Sequence, residues 1–332
     1  MLHYCKINMS KKTFYIILIA AAALLIIGGL IGYFVFSKET APQPVGEVGF
    51  TIPGSALQGK IKAISKGPTI SANFDSGQNA VLFYDFSGQL WKFSANDSEP
   101  VAMDKPPIKN MAEIIWPKVF SPDGKKIVYQ KNNSLLVSDS SGKNQRTLVS
   151  VLKLKDIILK WPAANSIALI SKPSGLVAGG LWVLDVRNLT FSRLLEGLFG
   201  LEALYSPNGG RFIYSYADQN GRLKLTSSDN KENKRELNTS TLIDKCVWLG
   251  DSLNVLCAAP KSWPEGMLLP DDYYKTTNLT NDDIWKINTE TGSKDLMVPN
   301  VGDINNLLVD GNENSVYFIS RSNQFLYQLN LK

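Results

Sequence analysis

Histidine is almost absent from this chain of 332 residues, since His3 is its only one. A body without histidine offers neither a His-bearing catalytic triad nor a multi-histidine metal site. Cysteine is nearly as scarce: Cys5, Cys246 and Cys257 are too few for a disulfide-dense fold or a four-cysteine zinc cage. The sequence contains no Gly-x-Ser-x-Gly nucleophile elbow and no phosphate-cradling glycine-rich loop. No basic cluster stands out either, so nucleic acid is not an expected partner. These gaps argue against an enzyme and against a bound cofactor, leaving a carboxylate- or metal-dependent hydrolase or lyase as the residual catalytic alternative. At 44% hydrophobic and 20% charged residues, the chain is neither wholly disordered nor built from many membrane spans.

What is present begins with an apolar run, Phe14 to Phe36, that contains no charged residue. As a helix it reaches about 34 Å, enough to cross a hydrocarbon core of about 30 Å. A cleaved signal peptide has a shorter apolar region and a small-residue cleavage site, which Ser37 to Pro42 supplies only poorly. Lys6, Lys11 and Lys12 precede the run without an acidic residue, so three of the five net positive charges sit there and the short N-terminus is expected in the cytoplasm. Met9-Ser10-Lys11-Lys12 reads like an ordinary start, in which case residues 1–8 are an extension. The expected layout is a cytoplasmic N-terminus over 1–12, a transmembrane helix over 13–36 whose residues 14–36 contact the lipid bilayer, a Pro/Gly-bearing tether over 37–58 and an extracytoplasmic domain over 59–332.

That domain repeats. A residue ending a short apolar run and entering a Gly/Asp/Asn/Pro turn recurs at Phe74, Phe120, Trp161, Tyr205, Trp248 and Val309, at intervals of 46, 41, 44, 43 and 61. A second strand marker keeps the same spacing, from Leu90-Trp91-Lys92-Phe93 through Leu135, Leu181, Leu223 and Ile284 to Leu326-Tyr327-Gln328-Leu329. Between the two lies a third β-rich run, such as Val81-Leu82-Phe83-Tyr84 or Phe212-Ile213-Tyr214. Four short antiparallel strands per unit of 40–45 residues is the arithmetic of a β-propeller blade, whereas a β-sandwich does not hold one period six times. The predicted fold is therefore all-β, a six-bladed β-propeller of four-stranded antiparallel blades after one transmembrane helix. The blades fall near 69–103, 114–150, 156–196, 200–238, 241–299 and 303–332. The last unit stops after its third strand, so the strand-like run at 60–65 is predicted to supply its fourth and close the ring.

Val119-Phe120-Ser121-Pro122-Asp123-Gly124-Lys125-Lys126-Ile127-Val128-Tyr129 and Tyr205-Ser206-Pro207-Asn208-Gly209-Gly210-Arg211-Phe212-Ile213-Tyr214 resemble the WD-like repeat of TolB-type six-bladed propellers. The other four units keep the spacing without this wording. The resemblance implies the fold strongly and a function weakly, because propellers host many unrelated activities.

Unit five is longer by about 18 residues, and the excess lies between Pro260 and Asn281. It combines apolar, aromatic and acidic residues, with Trp263, Met267, Asp271, Asp272, Tyr273 and Tyr274 as candidate binding residues. The equally weighted alternative is a flap that packs over the channel or a neighbouring blade with the same aromatics. Asp271, Asp272, Asp282 and Asp283 are weak calcium-ligand candidates, for which a solvated acidic rim is the preferred reading. Cys246-Val247-Trp248, Cys257-Ala258-Ala259-Pro260, Leu269 to Tyr274 and Asp282-Asp283-Ile284-Trp285 together resemble a pattern recurring in membrane-anchored propellers of small-genome bacteria, which implies a shared surface feature and no activity. A hairpin turning at Asp251-Ser252 places Cys246 directly across from Cys257, close enough for a disulfide, with two buried thiols as the alternative. The favoured expectation is a module of the cell envelope that binds another envelope protein or peptide. A receptor for a small molecule or cell-wall glycan in the propeller channel is the second.

Overall fold

The structure, a computed structural model, describes residues 60–104, 119–230, 233–275 and 278–331. The expected membrane helix and tether lie outside these residues. Among the described residues, no helix is long and apolar enough to cross a membrane.

The described fold is all-β and its strands pair antiparallel throughout. A first strand, β1 (Ile61–Ala63), precedes a four-stranded sheet of β2 (Thr69–Asp75), β3 (Ala80–Asp85), β4 (Leu90–Ser94) and β5 (Val101–Ala102). A second such sheet holds β6 (Val119–Phe120), β7 (Lys126–Lys131), β8 (Ser134–Asp139) and β9 (Arg146–Val149). Seven strands follow in one sheet: β10 (Ile157–Ala163), β11 (Ser166–Ser171), β12 (Ala178–Asp185), β13 (Thr190–Tyr205), β14 (Arg211–Ala217), β15 (Leu223–Asp229) and β16 (Lys234–Glu236). The next sheet contains β17 (Cys246–Trp248), β18 (Asn254–Pro260), β19 (Asp282–Asn288) and β20 (Lys294–Gly302). In the last, β21 (Ile304–Val309), β22 (Ser315–Ser320) and β23 (Leu326–Asn330) are joined by β1, with Ile61 opposite Leu329 and Ala63 opposite Tyr327.

Two boundaries differ from the sequence expectation. The break expected between residues 196 and 200 is absent, because β13 runs through it and pairs with β12 by its first part and with β14 by its second. Gly197 and Gly200 take positive φ there, and the pairing register shifts on both sides, so the strand bends without ending. The fourth strand of unit five also extends to Gly302, three residues past the expected limit.

The Ser-Pro-x-Gly turns show why their wording recurs. Ser121 Oγ accepts from the Lys126 N–H at 2.9 Å and donates to Asp123 at 2.6 Å, while Gly124 takes φ 68°. Ser206 repeats this with Arg211 and Asn208. At Gly209, also at φ 68°, any Cβ would collide with the Pro162 carbonyl of the preceding unit, so the turn is also a seam between sheets.

The second sheet packs face to face on the third, and the third on the fourth. Val128, Leu135 and Val137 meet Ile157, Ile167 and Leu169. Leu195 and Leu201 are buried with Phe212 and Tyr214, and Ile213 and Leu225 with Trp248 and Val255. The last sheet meets the first, Tyr317, Ile319 and Leu326 packing on Val81, Phe83 and Phe93. Asn306 exchanges hydrogen bonds with the Ala72 backbone across that seam.

Candidate functional site

The excess chain of unit five leaves β18 at Pro260 and returns at Asp282, carrying a short helix, α1 (Asp271–Lys275). Asp271 and Asp272 stand in its first turn and Lys275 in its last, the arrangement a helix dipole favours. Asp272 Oδ2 accepts from the Leu268 N–H at 2.7 Å, tying the turn that enters the helix. Leu269 and Tyr273 are buried with Leu223 and Leu242, and Trp263 and Met267 pack beside them. Asp271 crosses to the β11–β12 loop, where it accepts from the Gly175 N–H and the Ser174 hydroxyl. Gly200, at φ 63°, lets the flap sit down: a Cβ there would lie 2.9 Å from the Leu269 carbonyl oxygen.

Beneath the flap lies a buried polar network. Lys245, with no exposed surface, reaches Asp282 Oδ2 and Asp303 Oδ1, each at 2.7 Å. Tyr273 donates to Asp303 Oδ1 at 2.7 Å, and the Thr280 N–H donates to Asp303 Oδ2 at 3.0 Å. Arg321 donates to the same Oδ2 at 3.0 Å and to the Tyr273 carbonyl at 2.7 Å, with its guanidinium stacked 3.9 Å from the Tyr273 ring centre. Thr280 bridges to Asp282 Oδ1 at 2.7 Å. Burial pushes the Asp303 carboxyl up, but Lys245 and its hydrogen bonds outweigh that and hold it low. Burial pushes Asp282 up despite the same lysine. The Tyr273 hydroxyl is pushed far above its ordinary range by burial and by Asp244 and Asp303, so it stays a donor.

Two further carboxyls lack a cationic hydrogen-bond partner. Glu202, near the inner end of β13, accepts from the Tyr274 hydroxyl at 3.0 Å and from the Ile243 N–H at 3.1 Å. Asp244, in the 3-10 turn Ile243–Lys245, has a buried Oδ1 without a hydrogen-bond partner. Tyr274 also holds the Asp244 carboxyl down, though less than burial pushes it up. Burial first, then the repulsion of Asp244, raises Glu202 to about 8; burial raises Asp244 to about 6 against the pull of Lys245. The two acids titrate as a pair, and burial favours a neutral carboxyl on it.

The candidate binding residues divide. Trp263 and Met267 line a cleft of about 690 Å³, with Asn220, Arg222 and Asn238 on the facing side. Tyr274 is half exposed. Tyr273 is not a surface anchor: it is fully buried, because its ring carries Arg321 and its hydroxyl serves Asp303. The expectation of a solvated rim fails for Asp282, which Lys245 draws into the interior. Asp283 accepts from the Asn300 N–H at 2.8 Å, and Asp271 and Asp272 serve the flap itself. Among the described residues, no three His, Cys, Asp or Glu side chains gather to hold a metal ion. Cys246 and Cys257 are paired in register and bonded, with both residues buried.

Sequence reasoning missed Glu202, Asp244, Lys245, Asp303 and Arg321. A signal was there for three of them. Asp244-Lys245 interrupts the apolar stretch Leu242 to Trp248, and Glu202 stands alone between Leu201 and Ala203. Charges inside apolar runs are paired or proton-bound when the run is buried.

No family model matches the sequence, and no curated protein matches it. Similar solved structures include a putative TolB from Agrobacterium tumefaciens, at 15% identity and TM-score 0.47 over 81% of this chain and 96% of that one. An oligogalacturonate lyase in complex with manganese aligns at 12% identity and TM-score 0.49, over 80% of this chain and 78% of its own. The tricorn protease aligns at 12% identity and TM-score 0.44 over 72% of this chain, which spans only 23% of the protease.

Proposed function

We propose that the chain is a membrane-anchored, extracytoplasmic β-propeller of six blades that docks an envelope protein or peptide on its flap-bearing face. Four four-stranded sheets, and a seven-stranded one read as two blades sharing β13, support the blade count. The packing of the second sheet on the third, the third on the fourth and the last on the first supports the ring. Residues 14–36 would hold the chain in the cytoplasmic membrane by a single pass, with the N-terminus inside.

The observation that carries the docking role is a group of exposed apolar side chains around the flap. Leu176 and Val177 are 70% and 67% exposed in the loop that Asp271 ties down. Phe199 lies in the adjoining part of β13, opposite Ala178, and Tyr274 stands on the flap helix. Apolar side chains gathered beside a structured loop are the signature of a protein interface. Binding rather than catalysis is the proposed role, and a metal-dependent hydrolase or lyase is the weakest reading.

A receptor for a small molecule or cell-wall glycan is the second reading. The cleft between Trp263 and Asn220, Arg222 and Asn238 supports it, since an aromatic face beside amide groups suits a sugar. Cross-linking in native membranes separates the two. The double variant Leu176→Ser, Val177→Ser is expected to lose the cross-linked partners of the wild type. An unchanged partner set overturns the docking role, and glycan binding lost on Trp263→Ala would favour the second reading.

A further inference from the structure

The buried network beneath the flap does not balance its charge. Four carboxyls, Glu202, Asp244, Asp282 and Asp303, face two cations, Lys245 and Arg321. Both cations are engaged on Asp282 and Asp303. The remaining two acids sit on different units, Glu202 on β13 and Asp244 in the turn before β17, and the flap's Tyr274 closes over them. Both Glu202 oxygens already accept hydrogen bonds, and the positive charge of Lys245 acts on Asp244. That arrangement suits a proton and not a metal ion.

We propose that Glu202, Asp244 and Tyr274 form a proton-dependent latch that holds the unit-five flap closed at acidic and neutral pH and releases it as the pH rises. With one proton on the pair, a single negative charge remains under the flap, and the Tyr274 hydroxyl and the Ile243 N–H are there to serve the acids. With both ionised, two negative charges face each other under the flap, and Tyr274 satisfies only one of them. The other charged or titratable groups around the pair are Lys245 beside Asp244, Tyr273 on the flap helix, Asp282 on β19, Asp303 before β21 and Arg321 between β22 and β23. Lys245 and Arg321 are paired with Asp282 and Asp303, and Tyr273 donates to Asp303.

The sign follows from the direction of the shifts. The closed flap holds the proton more tightly than the open one, in which a solvated Glu202 returns to the ordinary carboxylate range. Closure is therefore complete at low pH and weakens as pH rises through about 8. The latch rests on the proposed docking role only for what the flap exposes, and its test does not use a partner.

Hydrogen exchange on the full chain in detergent, corrected for the intrinsic pH dependence of exchange, reads the flap directly. Protection over 263–275 is expected to fall about tenfold per pH unit between pH 6 and 8, while the strands around it stay constant. Glu202→Gln is expected to flatten that dependence, because its amide stays neutral at every pH and removes one of the two charges. Asp244→Asn is expected to move the transition to lower pH by removing the repulsion that raises Glu202. Flap protection that ignores pH in the wild type, or that keeps the wild-type dependence in Glu202→Gln, overturns the latch.

Discussion

The two halves of the buried network are built from the same kinds of residue and behave differently. In the Lys245 half, each carboxylate meets a cation and neutral donors complete its shell, and Asp303 is held low by Lys245 against its burial. In the Glu202 half, Glu202 accepts from a phenol and a backbone N–H, and no cation among the described residues bonds either acid directly. Burial raises all four carboxyls, and only Asp303, with both Lys245 and Arg321 in reach, ends below its ordinary range. The first half is a rivet and the second is a titratable contact.

Removing the cation breaks that contrast most severely. Lys245→Met leaves Asp282 and Asp303 buried without their main partner, and a loss of about 3–5 kcal/mol in urea unfolding is expected. Tyr273→Phe deletes a hydrogen bond to a charged acceptor and is expected to cost about 1.5–3 kcal/mol by the same measurement. The pH dependence comes next. Since Glu202 is raised in the folded state, stability should fall as pH climbs from 6 to 8, by about 1.4 kcal/mol per pH unit, the same slope as the flap's protection, and Tyr273→Phe should keep that slope. Tyr274→Phe removes a bond to a largely neutral acid, with an expected cost of about 0.5–1.5 kcal/mol at pH 6. A cost equal to that of Tyr273→Phe would erase the distinction between the halves. Leu176→Ser with Val177→Ser should leave stability within about 0.5 kcal/mol, confining its effect to binding.

The strand rhythm was legible because alternating apolar residues and turn residues act locally. Val81-Leu82-Phe83-Tyr84 falls within β3, and the unit-five excess between Pro260 and Asn281 coincides with the connection between β18 and β19. The cross-strand position of Cys246 and Cys257 followed from the hairpin register alone. The network was not legible in the same way, since it joins residues up to 119 positions apart, from Glu202 to Arg321, through the packing of three units. Tyr273 shows the limit clearly. Its neighbours Asp272 and Tyr274 read as surface, and only the placement of Arg321 and Asp303 explains why the ring turns inward.

The pairing of β1 with β23 has a mechanical side. Any pull on the chain ahead of residue 60 enters the domain through a strand of three residues at the edge of the last sheet. Loaded across its length, that strand would unzip one pair at a time from Ile61. Loaded along its axis, all three pairs would share the strain, with Ile64 wedged in the seam between the first and last sheets as a stop. The direction of a tug, more than its size, would then set when the domain begins to yield.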